Sequence, residues 1–376
     1  MAYQLSPFYG IGIPVAIIAT LGYASHYFFF IEDLSIEKQV VFQLSLTMLW
    51  ASYIIAIYKK PGSPPSDFEP RRGQWRKWCK KCNCYKPERA HHCKTCGVCV
   101  LKMDHHCPWT ANCVGHYNMP HFLRFLLWVV WTNGFCLYYL LKRDKSYWDD
   151  RHLPSYLISK TSLTMAIVLT PLAILVEVSV GVLAIRCFYH ILSSGMTQIE
   201  CWEYERLEEQ CENGKLYPIL RDNYRKLFGK DLKSYTSWSM TPQVLRDSMD
   251  ESDYAQFGID DIIFPYDLGP WSNLIHAFGH PYKWILPFAG PIGDGLTFPV
   301  NEYVEPEDDL SSMPWPPDGW HQDKDSDATI DQQSDQFFDE NERVIRRRKT
   351  GAVRSQWENR YGESLADFGV DMDSEL

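Results

Sequence analysis

The chain has 376 residues, 22% of them charged and 45% hydrophobic, with a formal net charge of −10. That acidic balance gives no support for nucleic-acid binding, and no internal repeat, phosphate-binding glycine loop or nucleic-acid module is expected. A mean hydropathy slightly below zero would suit a soluble protein, but it averages long apolar runs with an acidic tail.

Four runs decide the class. Residues 8–30, 40–58, 122–141 and 163–192 are each mostly apolar over about 20 residues or more, enough to cross a hydrocarbon core of about 30 Å as helix. The expected fold class is therefore an α-helical integral membrane protein with four transmembrane helices, in pairs at 1–58 and 122–192. The intervening segment, 59–121, carries a dozen Lys and Arg, whereas the short connection 31–39 has one Lys. By the positive-inside rule this segment and both termini are expected in the cytosol, where thiols stay reduced. No Lys or Arg precedes the first run, which argues for a retained span rather than a cleaved signal.

Between Cys79 and Cys113 lie eight of the twelve cysteines and four histidines. Tetrahedral zinc is built from such Cys-x-x-Cys pairs with neighbouring His and Cys. One economical pairing is interleaved: Cys79, Cys82, His92 and Cys99 around one ion, and Cys93, Cys96, His106 and Cys113 around another. Cys84, Cys107, His91 and His105 are then left over. Of the two spare thiols only Cys107 follows a base and a carboxylate, His105 and Asp104; Cys84 is flanked by Tyr85 and Lys86. A thiolate beside a His oriented by a carboxylate is the usual arrangement for a nucleophile at neutral pH. A further zinc ligand is the other reading of Cys107, and His91 reads as a surface or supporting group.

With Asp104-His105-His106-Cys107 as signature, and with the whole spacing from Cys79 through Asn118 to Phe122, the chain resembles the DHHC-type protein S-acyltransferases. The resemblance implies two structural zinc ions in the interleaved assignment, palmitoyl-CoA as acyl donor, an acyl-enzyme on Cys107, and membrane-associated clients with cytosolic cysteines. It also implies a cavity between the spans for the acyl chain. Thr197-Gln198-Ile199-Glu200 is similar to the family's Thr-Thr-x-Glu motif, with Gln in the second position, and that motif implies a partner for Asp104. Asn223 to Gly229 is similar to an element of the family's C-terminal region, and Lys60-Pro61-Gly62 stands where Asp-Pro-Gly is expected. Motif order and tail resemble the fungal branch resident in the endoplasmic reticulum.

In the remaining chain, Glu177 lies within the fourth run and Pro171 about two turns before it. An intramembrane carboxylate marks either a functional site or a protonated Glu bonded across the bundle. Trp128, Trp131, Phe135, Tyr138 and Tyr139 of the third run either line the acyl cavity or pack and anchor. Basic residues including Arg71, Arg72, Arg76, Lys77, Lys80 and Lys81 either attract CoA phosphates and lipid headgroups or only set orientation. Region 193–300 is expected to be cytosolic and largely irregular, with a short helix near 202–209. The acidic tail 301–376 reads as disordered, interrupted by a basic cluster at 346–349. Two rivals remain: a membrane-anchored zinc module of ubiquitin-ligase type, and a catalytically silent scaffold.

Overall fold

A computed structural model describes residues 7–71, 73–230, 258–302, 312–319, 337–338, 344–345 and 357–371. Arg72 and the basic cluster at 346–349 lie outside the described residues. Two compact units alternate along the chain: the first comprises 1–62, 103–195 and 268–295, the second 63–102, 196–267 and 296–376.

The first unit holds the four apolar helices. Helix α1 starts at Pro7–Ala19 and runs through π-helical turns at Thr20–Ala24 and His26–Phe30 to Ile31–Asp33. Helices α2 (Ile36–Tyr58), α3 (Met119–Asp149) and α4 (Lys160–Ser194) follow. All four are long and apolar enough to span a membrane. Helices α3 and α4, at 31 and 35 residues, outrun the apolar stretches seen in sequence, because a helix continues into charged residues such as Lys142 and Arg143 once it has left hydrocarbon. Their shared core includes Phe30, Phe42, Leu46, Leu123, Leu126 and Leu140.

The structure bears on two open readings of the spans. Glu177 bonds across the bundle: Asn133 Nδ2 donates to its Oε2 at 2.7 Å and to the Ala173 carbonyl at 2.9 Å. One cavity between the spans, about 30 Å³, is lined by Ile18, Leu21, Gly22, Phe42, Thr132 and Asn133 among others, and the five aromatic residues are not among its lining. It has room for about a water molecule. Phe135 and Tyr139 pack with Phe30 and Phe42, while Trp131 and Tyr138, seven residues apart on one helix face, point outward.

The cysteine-rich segment forms three two-stranded antiparallel hairpins. They are β1–β2 (Trp78–Cys79, Cys84–Tyr85), β3–β4 (His91–Cys93, Val98–Val100) and β5–β6 (His105–Cys107, Asn112–Val114). Contrary to the expectation from sequence, this is an internal repeat. Cys79, Cys93 and Cys107 occupy matching positions 14 residues apart, and no other residue type is shared by all three hairpins at a matching strand position.

In the second unit the irregular region is more helical than expected, with α5 (Gln198–Glu212) and α6 (Leu216–Phe228) over a core of Leu207, Leu216, Leu220, Tyr224, Phe264 and Trp315. Part of the tail read as disordered is packed here. Trp75 Nε1 donates to the carbonyls of Pro314 and Pro316, buried Arg206 pairs with buried Asp318 at 2.9 Å, and Trp315 Nε1 donates to Glu203 at 2.7 Å. Asn223 Nδ2 donates to the Pro317 carbonyl at 3.2 Å. Leu365, Phe368 and Val370 are buried as well. Composition pointed to disorder because these few apolar anchors are diluted among acidic residues.

Candidate active site

The third hairpin brings Asp104, His105 and Cys107 together in the first unit. His105 Nδ1 donates to Asp104 Oδ2 at 2.7 Å, which leaves Nε2 for the Cys107 sulfur. Burial is the largest single influence on His105 and disfavours the imidazolium. Hydrogen bonds to Asp104 and Cys107, with their charges, outweigh it and raise the imidazole to about 10. Burial likewise works against the Cys107 thiolate, yet the His105 hydrogen bond and charge, with help from Thr110, hold the thiol below its ordinary value. The two side chains thus favour each other's ionised forms, thiolate and imidazolium, with Asp104 fixing the ring. Cys84 contrasts with it: burial first, then the neighbouring Cys82 and Cys79, push its thiol up.

Spans α1 and α2 hold the loop that follows Cys107. Tyr53 donates its hydroxyl to the Trp109 carbonyl at 2.7 Å. Gly10 passes so close that an added Cβ would lie 2.1 Å from the Pro108 carbonyl oxygen. Asn112, paired in register with Cys107, donates to the carbonyls of Ala56, Ile57 and Lys59 at the end of α2. Asn118 ties the hairpin to the start of α3 by donating to the Cys113 carbonyl at 2.7 Å and accepting from Gly115 N–H at 2.8 Å. Phe122 meets the His105 ring edge-on at 5.4 Å. Asn118 and Phe122 had been marked by spacing alone; Gly10, Tyr53 and Asn112 had not, since no local pattern distinguishes them.

The cysteine-rich segment carries two Cys and His ligand sets. In the first, Cys79, Cys82 and Cys99 place their sulfurs 3.4, 3.3 and 3.7 Å from His92 Nδ1. Zn–S and Zn–N bonds of about 2.3 and 2.0 Å at a tetrahedral angle require about 3.5 Å between donors, so this set fits zinc. Burial pushes the thiols of Cys82 and Cys99 up, and a cation is what would displace their protons. The other assigned ligands occur as local pairs: Cys96 N–H points to Cys93 Sγ at 3.3 Å, and His106 Nδ1 lies 3.5 Å from Cys113 Sγ, a ligand-to-ligand distance again. The far edge of His92 faces Asp371, with Nε2 and Oδ2 3.8 Å apart. Asp371 also contacts Lys81 and donates its N–H to the His92 carbonyl at 2.8 Å. A carboxylate behind a ligating imidazole is the usual outer support of a zinc site. His91 is buried, not at the surface.

A model of the DHHC palmitoyltransferase family matches residues 74–205. Palmitoyltransferase PFA4 of Debaryomyces hansenii is 45% identical over 390 aligned positions, covering 100% of this chain and 96% of that protein. The PFA4 palmitoyltransferases of Candida glabrata and Saccharomyces cerevisiae are 44% and 39% identical, each with 98% of both chains covered. The chain belongs to the DHHC palmitoyltransferase family. It is accordingly an enzyme of protein palmitoylation and an integral membrane protein, and the ubiquitin-ligase-like reading lapses.

In this DHHC palmitoyltransferase the Thr197–Glu200 motif starts α5. Thr197 Oγ1 accepts from Glu200 N–H at 3.3 Å and Glu200 Oε2 accepts from Thr197 N–H at 2.8 Å, a capping box. Gln198 occupies the first helical position, so its side chain takes no part in this cap. Glu200 also receives both Nε and Nη2 of Arg89, at 2.5 and 2.6 Å. The guanidinium lies over Tyr266, Phe298 and Phe264, with 4.6, 5.0 and 5.6 Å to the ring centroids. Sequence could not reveal a pair 111 residues apart. Arg89→Met is expected to cost about 3–5 kcal/mol by leaving a buried carboxylate alone, measurable by thermal unfolding in detergent. Burial would raise Glu200, but Arg89 and the Thr197 N–H hold it below the usual carboxylate value. Its stabilisation is therefore complete above about pH 4.3, the unfolded value, and is lost as pH falls through the lower folded value. Glu200→Gln should flatten that acid limb.

Proposed function

We propose that this palmitoyltransferase moves a long-chain acyl group from acyl-CoA to client cysteines through an acyl-enzyme on Cys107. The single observation that carries this reading is the Asp104–His105–Cys107 constellation, in which a carboxylate-oriented imidazole holds one of two spare thiols below its ordinary value. In the first step the Cys107 thiolate attacks the thioester carbonyl of palmitoyl-CoA. CoA leaves as thiolate and takes its proton from the His105 imidazolium. In the second step the now neutral His105 removes the proton of a client thiol, which attacks the Cys107 thioester and frees the enzyme thiolate. Both bonds exchanged are thioesters, so the catalyst acts on the barrier rather than on the equilibrium.

Zinc is structural in this reading, since four protein ligands leave no open position. Cys79, Cys82, His92 and Cys99 hold one ion; Cys93, Cys96, His106 and Cys113 hold the second. The zinc-bearing segment and both termini face the cytosol, supported by the basic excess of 59–121. Residence in the endoplasmic reticulum, with membrane-associated clients, is supported by the resemblance to the fungal branch. The test is acyl-enzyme formation: purified full-length protein, labelled palmitoyl-CoA, hydroxylamine treatment, and mapping of the label by mass spectrometry. Hydroxylamine-sensitive label on Cys107 is the expected result. A folded, zinc-replete protein that takes no label on that residue would return the reading to a zinc scaffold.

A further inference from the structure

The three hairpins share more than their spacing. Cys79, Cys93 and Cys107 stand opposite Cys84, Val98 and Asn112 respectively. In each turn the residue four places on, Asn83, Gly97 or Ala111, takes a left-handed φ of 52°, 67° or 47°. Alanine rarely adopts that conformation, so the turn geometry, not the residue's preference, sets it. In the first two hairpins the residue three places after the opening cysteine is itself cysteine. Its amide points at the first sulfur: Cys82 N lies 3.4 Å from Cys79 Sγ, and Cys96 N 3.3 Å from Cys93 Sγ. A turn of this shape aims N–H at a sulfur anion and sets a second thiol beside it, which makes it a metal-binding knuckle.

The third turn has Thr110 at that place. Thr110 is 2% exposed. Its hydroxyl donates to the Cys107 carbonyl oxygen at 3.4 Å, and its amide and hydroxyl both favour the Cys107 thiolate. We propose that Cys107 occupies the first-ligand place of a third, metal-free knuckle, in which Thr110 stands for the second cysteine and positions the reacting sulfur. The proposal rests on the reading of Cys107 as nucleophile. The first ligand set is closed by His92 and Cys99, which face each other on the next hairpin. One further repeat beyond His106 and Cys113 falls on Pro120 and Leu127 of α3, neither of which can bind metal. The third knuckle therefore lacks both its second thiol and its closing pair. A fold that elsewhere commits every opening cysteine to metal leaves this sulfur free to attack carbon, while keeping the turn that steadies its charge.

The test uses the full-length protein in detergent and single-turnover labelling with palmitoyl-CoA. Thr110→Val, which keeps shape and loses the hydroxyl, should acylate about fivefold more slowly at saturating donor, with unchanged half-saturation and zinc content. Thr110→Ser should match wild type. Thr110→Cys restores Cys-x-x-Cys, so a low concentration of added cadmium should block its labelling, reversibly by chelator, at a dose that leaves wild type active. If Cys107→Ala still labels, the nucleophile itself is misassigned. If Cys107→Ala is dead but Thr110→Val labels at the wild-type rate, or Thr110→Cys ignores cadmium, the knuckle assignment alone is overturned.

Discussion

Cys107→Ala is expected to take no label from palmitoyl-CoA, Cys84→Ala to label like wild type, and His105→Ala to label about 10²–10⁴-fold more slowly. The three variants separate sulfur from base. Cys84 and Cys107 are both buried thiols, so burial cannot distinguish them; the imidazolium beside one can. Removing His105 takes away the charge that holds the Cys107 thiol below its ordinary value and, in the proposed mechanism, the proton carrier for the leaving CoA, two losses in one substitution. Asp104→Asn tests the remaining member. An amide can offer its own N–H to His105 Nδ1 and so turn the ring's remaining proton towards the sulfur, where it cannot accept one. Its loss should approach that of His105→Ala. Single-turnover labelling at saturating donor reads all four, and zinc content reports whether each variant is intact.

Removing zinc should be the larger structural insult. Cys99→Ser, or prolonged chelation, is expected to release metal from the set around His92 and to melt the hairpins. The hairpins have strands of only two or three residues, too few to stand without a staple. A structural zinc contributes on the order of 10–16 kcal/mol, comparable with the whole stability of a domain. Zinc content and limited proteolysis of full-length protein would check it, and acylation should be lost with the metal. A chelated protein that keeps its protease resistance would show that packing, not metal, holds the hairpins.

The spans and the ligand set were legible because each obeys a rule that acts locally. About 20 apolar residues in a row have few soluble alternatives, and Cys-x-x-Cys with His-Cys at fixed intervals is the shortest way to surround an ion. Asp104, His105 and Cys107 were legible for the same reason, lying within four positions of one another. What sequence hid depends on residues far apart or on places whose letters had changed. Arg89 looked like one basic residue among a dozen until Glu200 and three aromatic rings closed around it. Residues 312–319 and 357–371 looked like solvated tail because a handful of buried side chains leaves an acidic stretch acidic. Gly10 could be any small residue in a helix until Pro108 is seen against it. The third knuckle was hidden by Thr110, the replacement that separates it from the other two.

Gly10 and Tyr53 also bear on how this enzyme can be taken apart. The two backbone carbonyls that directly follow Cys107 are committed to the first two membrane helices, one by contact and one by hydrogen bond. A cysteine-rich fragment excised from the bilayer could keep its metal and still lose the ground against which Cys107 is aimed. The placement of the Cys107 loop is thus written in the membrane part of the chain.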